Sequence, residues 1–252
     1  MQRKLLLLCN PGYEEYRNYV PQTYDIIKAY KQYFKSAFGG VWQDDEIDEM
    51  PDSLYGMGQN CWLAKKIEQY DKLDYSMIVF IGHGGAYDKL DFIQLSGGKA
   101  FAIKDLYRNE NTIKRTIIID SCRSYIEPDI LKLLLEARKK NTEDCRCLYD
   151  NIIKEAEPHC ELLQSTQYGE LANTTETGSV FSDAFFNVLK KNISLWGTEA
   201  LSNPEKQVVK TIQEILDLIR TEMLIYGQVP QYTNKSHSHF PIFAVKRESV
   251  LI

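Results

Sequence analysis

Five short apolar runs punctuate the chain: Lys4 to Cys9, Tyr75 to Ile81, Thr116 to Asp120, Glu161 to Thr166 and Phe240 to Val245. Most are rich in β-branched or aromatic residues, Lys4 to Cys9 and Glu161 to Thr166 being leucine-based, and all are bounded by polar or turn residues, the pattern of strands buried on both faces. Between them apolar positions recur at helical spacing over Tyr24 to Ala37, Gly58 to Tyr70, Asp129 to Lys140, Val180 to Lys191 and Pro204 to Tyr226. Such alternation predicts an α/β protein with a mostly parallel central sheet flanked by helices on both faces. Asp91 to Leu95 and Ala100 to Ile103 flank Ser96-Gly97-Gly98-Lys99, a hairpin with its turn glycines in place. The polar stretch Asn141 to Pro158, which holds Cys145 and Cys147, reads as an excursion from the core.

Composition narrows the function classes. A chain of 252 residues, 44% hydrophobic and 26% charged, suits one large α/β unit spanning 1–252. Thirty basic and 35 acidic residues give a net charge of −5, and without a long basic run nucleic acid is not an expected partner. No apolar stretch approaches the roughly 20 residues of a membrane span, so a membrane partner is not expected either. The start, Met1-Gln2-Arg3-Lys4 followed by apolar residues, imitates a signal sequence, but Asn10-Pro11-Gly12 ends the run too early. Six scattered cysteines with no CxxC pair point to a reducing compartment, so a cytoplasmic location is expected.

Two predicted strands end in reactive residues. Met77 to Ile81 leads into Gly82-His83-Gly84-Gly85, and Thr116 to Ile119 leads into Asp120-Ser121-Cys122-Arg123-Ser124. In an open parallel sheet, chemistry gathers beyond the carboxyl ends of the strands, which delivers His83 and Cys122 to one edge. A free thiol titrates near ~8.5, so a neighbouring imidazole is needed to take its proton or stabilise the thiolate. The backbone N–H groups of Gly84 and Cys122 are candidates for an oxyanion hole, and the glycines around His83 let a substrate backbone approach.

These residues carry a resemblance. Phe80-Ile81-Gly82-His83-Gly84 and Ile119-Asp120-Ser121-Cys122-Arg123-Ser124 resemble the His and Cys motifs of the caspase-like cysteine peptidases, most closely the metacaspase and paracaspase branch. The 91–103 hairpin with Lys104-Asp105-Leu106, then Leu162 to Thr166, Gly169-Glu170-Leu171-Ala172, Gly178 to Phe185 and Gln228-Val229-Pro230-Gln231 are similar to later parts of that family. The resemblance implies a caspase-like fold and cysteine endopeptidase activity by a His83/Cys122 dyad, with no cofactor. It also implies a large-subunit-like part over 1–140, a linker or insertion over 141–160 and a small-subunit-like part over 161–252.

The resemblance further implies a substrate preference. Asp120 stands two residues before Cys122, where the branch carries a pocket aspartate that selects Arg or Lys before the cut; true caspases, which cut after Asp, lack it. A carboxylate there attracts a cation and repels an acid. Asp25 aligns with a second acidic pocket residue, whereas Ile81 replaces a serine common in metacaspases. Asp105 and Asp129 resemble calcium ligands of some metacaspases, but Lys104 replaces a neighbouring carboxylate, so no calcium site and no other metal is expected. The acidic run Asp44 to Glu49 reads as a solvated segment, and His237 and His239 as surface residues.

The partner expected is a protein or peptide with a basic residue before the cut. The first core strand begins at Lys4, so control is expected from cleavage, another chain or a regulatory protein partner. Arg138, Lys139, Lys140 and Arg146 are candidate self-cleavage sites. Two rival functions are a catalytically silent interaction module and a thiol acyltransferase or amidase on the same dyad.

Overall fold

The long apolar runs do form the interior of a sheet. The computed structural model describes residues 1–252 except 16–18, 52, 55–56, 88–89, 96–98, 110, 122–141, 168–169, 171, 173, 176–177, 204, 206 and 247–252. In chain order the elements are β1 (Arg3–Asn10), α1 (Thr23–Lys35), β2 (Ile47–Glu49), α2 (Met57–Tyr70), β3 (Tyr75–Gly82), β4 (Gly84–Tyr87), β5 (Leu90–Leu95), β6 (Lys99–Ala102) and β7 (Lys114–Asp120). Then follow α3 (Thr142–Glu155), β8 (His159–Gln164), β9 (Thr174–Thr175), β10 (Gly178–Ser179), α4 (Val180–Ser202), β11 (Gln207–Thr211), α5 (Ile212–Met223), β12 (Gln231–Asn234) and β13 (Pro241–Lys246).

Six strands make the central sheet in the order β12-β8-β7-β3-β1-β2, parallel throughout except for the β12–β8 edge pair. Side chains alternate across it. Leu5, Leu7, Met77, Val79 and Ile118 face a core built with α1, α3, α4 and α5. Leu6, Leu8, Ile78, Phe80, Ile117 and Ile119 face a second core, where Leu63 and Ile67 of α2 and Ile93 and Leu95 of β5 pack. On the first face Tyr30 of α1 lies 5.3 Å from Phe185 and 5.0 Å from Phe186 of α4, ring to ring. Helices therefore cover both faces, as the alternation predicts.

Three segments depart from the sequence reading. The stretch expected as a polar excursion or linker over 141–160 is mostly α3, whose Cys145, Tyr149 and Ile153 recur every fourth position and are fully buried. Polar composition hides this one apolar stripe, which is all a one-sided helix needs. Glu46 accepts from Arg146 and Arg3, and the Arg3 guanidinium also donates to Gly40 O at 2.7 Å and lies 4.3 Å from the Trp42 ring. The last strand does not join the central sheet: β13 pairs antiparallel with β11, and both lie within the stretch of core that surrounds Trp196. The helix expected over 204–226 accordingly begins only at Ile212, where Thr211 and Glu214 form a capping box. The helix expected over 129–140 lies outside the described residues.

Candidate active site

The site is built at the carboxyl ends of β1, β3 and β7. Parallel register pairs Asn10 with Gly82 and Ile81 with Asp120, so neighbouring strands stop level with one another. Gly82 has φ +147°, and a Cβ there would lie 2.4 Å from Asn10 O, which only glycine avoids. Asn10 in turn donates to Gln94 O at 2.6 Å and accepts from the Gly12 N–H at 3.1 Å, fastening β5 over the strand ends. His83 leaves β3 from this frame half-buried, and its Nε2 atom is buried with no hydrogen-bond partner among the described residues.

After His83 the chain turns back as β4, paired antiparallel with β5. A Cβ on Gly84 would lie 2.8 Å from both Phe92 O and Ser121 Oγ, so glycine allows β4 to run beside the end of β7. Ser121 itself donates its N–H to Ser165 Oγ at 3.4 Å. Ser165 donates its N–H to Ile119 O at 3.0 Å, and its carbonyl accepts from the buried Gln228 side chain at 2.7 Å. The segment that precedes Cys122 is thus held from β8 and from the approach to β12. Cys122 lies outside the described residues.

Asp120 is fully buried on the α1 and α4 side of β7. Ser179 Oγ donates to its Oδ1 at 2.7 Å, and Ser182 Oγ donates to its Oδ2. Ser179 is also the N-cap of α4, accepting from the Ser182 N–H at 3.4 Å, so the carboxylate faces the positive end of that helix. Burial still outweighs these donors and pushes its pKa from the usual 3.8 to about 6. The fully buried Tyr30 hydroxyl sits within electrostatic reach of Asp120, and burial foremost, then this negative charge, holds the phenol far above its ordinary range. Sequence reasoning missed Ser179, Ser182 and Tyr30. Ser179 alone carried a signal, a cap residue directly before the apolar run Val180-Phe181.

The remaining candidates lie apart. Asp25 is exposed on α1, paired with Lys28 at 3.3 Å, and no described contact joins it to Asp120. Ile81 is fully buried on β3, in register with Asp120 of β7. In the acidic segment the carboxylates are matched by cations rather than merely solvated: Asp44 by Lys35, Asp48 by Lys66 at 2.8 Å, and Glu49 by Lys31. Asp105 lies in a short 3₁₀ turn, Asp129 outside the described residues. Among the described residues no three His, Cys, Asp or Glu side chains are arranged to hold a metal ion. His237 is exposed as expected, whereas His239 is half-buried, its Nδ1 3.3 Å from Oε1 of the fully buried Glu161. Of the neighbouring cysteines, Cys147 is exposed and Cys145 is buried in the core. Among the described residues no helix is long and apolar enough to cross a membrane.

Comparison with known proteins agrees with this architecture. Caspase-1 from Spodoptera frugiperda superposes with a TM-score of 0.56 at 13% identity, over 95% of this chain and 88% of that one. The Drosophila initiator caspase Dronc gives 0.54 at 8% identity, over 95% and 81%. A protein of Geobacter sulfurreducens gives 0.54 at 13% identity, over 93% of each chain. Likeness at such low identity speaks for the fold. No curated protein matches by sequence. The family model described as the caspase domain matches residues 59–240, from α2 through both motif strands to the start of β13, and the chain belongs to that family.

Proposed function

We propose that the protein is a cysteine endopeptidase of the metacaspase-like or paracaspase-like kind that cuts after Arg or Lys, acting on protein or peptide substrates. The observation that carries the reading is the parallel register of Ile81 with Asp120, two residues before His83 and Cys122 respectively. Adjacent parallel strands lie roughly 4.8 Å apart, so a histidine and a cysteine leaving them level emerge within reach of one another. The His83 Nε2, buried and without a partner among the described residues, suits a base awaiting a thiol.

In this mechanism His83 takes the Cys122 thiol proton, and the thiolate attacks the carbonyl carbon of the scissile bond. The carbonyl oxygen takes up the electron pair and is held by the N–H groups of Gly84 and Cys122. Collapse breaks the C–N bond, the amine leaves with the proton from His83, and the acyl group remains as a thioester. Water, deprotonated by His83, then releases the acid and restores the thiol. No cofactor enters. Residues 1–140 carry the dyad, 161–252 carry Ser179 and Ser182, and one peptidase unit comprises both. Cys61 and Cys147 are exposed free thiols, which supports a cytoplasmic setting, and control falls to a protein partner or to processing.

Asp120 selects the cation in this reading, with Asp25 as a more distant acidic group. A second reading of Asp120 is favoured by its complete burial and its two serine donors: it anchors the end of β7 to the N-terminus of α4. A panel of fluorogenic peptides with Arg, Lys, Asp or a neutral residue before the cut separates the possibilities. Preference for Arg and Lys, lost on Asp120→Ala while neutral peptides are still cut, supports the selector. Preference for Asp overturns it, and equal loss on all peptides favours the anchor. Transfer of the acyl group to an added amine in preference to water would support the acyltransferase rival, and inactivity on all peptides the silent module.

A further inference from the structure

The small sheet beside the site has an open edge. Its order is β4-β5-β6, so among the described residues one side of β4 has no strand partner. Antiparallel ladders alternate between residue pairs that exchange both backbone hydrogen bonds and pairs whose N–H and C=O groups point away from each other. The Gln94 N–H donates to His83 O at 2.8 Å, and the register continues Gly84 with Ile93, Gly85 with Phe92 and Ala86 with Asp91. His83 and Gln94 therefore occupy a hydrogen-bonded position, and the next such pair is Gly85 with Phe92. Gly84 and Ala86 turn their N–H and C=O groups outward. Gly84, Gly85 and Ala86 are all exposed, and a Cβ on Gly85 would meet nothing within 4 Å. From Gly84 to Ala86 no side chain larger than a methyl group guards the edge.

Position decides what this edge receives. The hairpin packs on the α2 face of the central sheet, with Ile93, Leu95 and Phe101 among Leu6, Leu63 and Phe80. Asp120, Ser179 and Ser182 lie on the opposite face. A side chain reaching Asp120 from the residue before the cut leaves the chain after the cut to continue past Gly84 and along β4. We propose that the outer edge of β4 is a docking strand for the substrate segment that follows the scissile bond, with Ala86 N–H and C=O as its paired groups; this rests on the peptidase reading above. Extended peptides add to free sheet edges through such main-chain bonds, and the repeat of an added strand, about 7 Å for two residues, matches the step from Gly84 to Ala86.

The test uses Ala86→Pro, which removes an outward N–H and leaves the β4–β5 ladder intact, since proline is tolerated where an edge N–H faces solvent. Two substrates share the residues up to the cut. One continues for several residues as an internally quenched peptide; the other ends at the cut in an aminocoumarin. The variant should lose about fivefold to tenfold in kcat/KM on the extended peptide and stay within about twofold on the truncated one. No loss on either substrate, or equal loss on both, overturns the proposal. An independent arm uses the wild type with peptides N-methylated in turn at each of the three amides beyond the scissile bond. A selective loss at one position is expected, and equal rates at all three contradict the docking strand. A wild type that cuts neither substrate overturns the peptidase reading and this proposal with it, whereas cutting without discrimination overturns this proposal alone.

Discussion

Replacing Asp120 by asparagine keeps the side chain's size and removes its charge. In the native protein the carboxyl titrates at about 6 rather than the usual 3.8, because it is fully buried and its serine donors only partly offset the lost hydration. The native state therefore holds this proton more tightly than the unfolded chain does. The group's stabilising contribution is fully present below about pH 3.8, declines as the pH rises through about 6, and is absent at pH 7 and above. At about 1.36 kcal/mol per pH unit, the ionised carboxylate costs the native state about 3 kcal/mol at neutral pH. Urea unfolding of wild type and Asp120→Asn at pH 4 and pH 7 isolates this quantity, since all other titrating groups are common to both proteins. Because the unfolded chain's carboxyl is already partly ionised at pH 4, the stability of the variant relative to wild type should improve by about 2 kcal/mol from pH 4 to pH 7. A difference that does not change with pH would refute a buried carboxylate that ionises near 6.

Other expectations follow from single contacts. Gly82→Ala puts a Cβ 2.4 Å from Asn10 O at φ +147°, and should cost about 2–4 kcal/mol in urea unfolding; wild-type stability would contradict the close approach of β1 and β3. Gly84→Ala forces β4 away from Phe92 O and Ser121 Oγ and displaces an oxyanion donor, so steady-state kinetics should show kcat down by roughly 10²-fold with KM little changed. An unchanged kcat would remove Gly84 from the oxyanion hole. Self-cleavage after Arg146 is not expected, because that residue is helical and its guanidinium is bound by Glu46. Mass spectrometry of wild type beside Cys122→Ala checks this, and a fragment ending at Arg146 only in the wild type would contradict it.

The parts of the fold legible in the sequence are those whose burial is uniform. β1, β3 and β7 read plainly because both faces of each strand meet apolar cores, so nearly every residue had to be apolar. Their parallel arrangement, and with it the level ends of the strands that precede the His83 and Cys122 motifs, followed from the helices between them. Segments buried on one side only were obscured. α3 shows one stripe of Cys145, Tyr149 and Ile153 in an otherwise polar stretch, and β11 is short and followed at once by a helix. β4 escaped notice because a strand of Gly84, Gly85, Ala86 and Tyr87 has almost no pattern to read; its form is imposed by β5. The motif residues stood out in the sequence, whereas the groups around Asp120 did not. Ser179, Ser182 and Tyr30 lie far from Asp120 in the chain, and only the packing of α1 and α4 against β7 brings them to it.

The central claim is that Cys122 and His83 act as one unit on a peptide bond. It is tested most directly by following one internally quenched peptide, with a single Arg before the expected cut, in the presence of wild type, Cys122→Ala or His83→Ala, each confirmed folded by its thermal transition. Wild type should cut after the Arg, and each variant should retain no more than about a thousandth of that rate, the two losses being similar because either residue alone disables the unit. Cleavage by Cys122→Ala at a rate comparable to wild type would contradict the account, as would a wild-type protein that leaves the peptide intact.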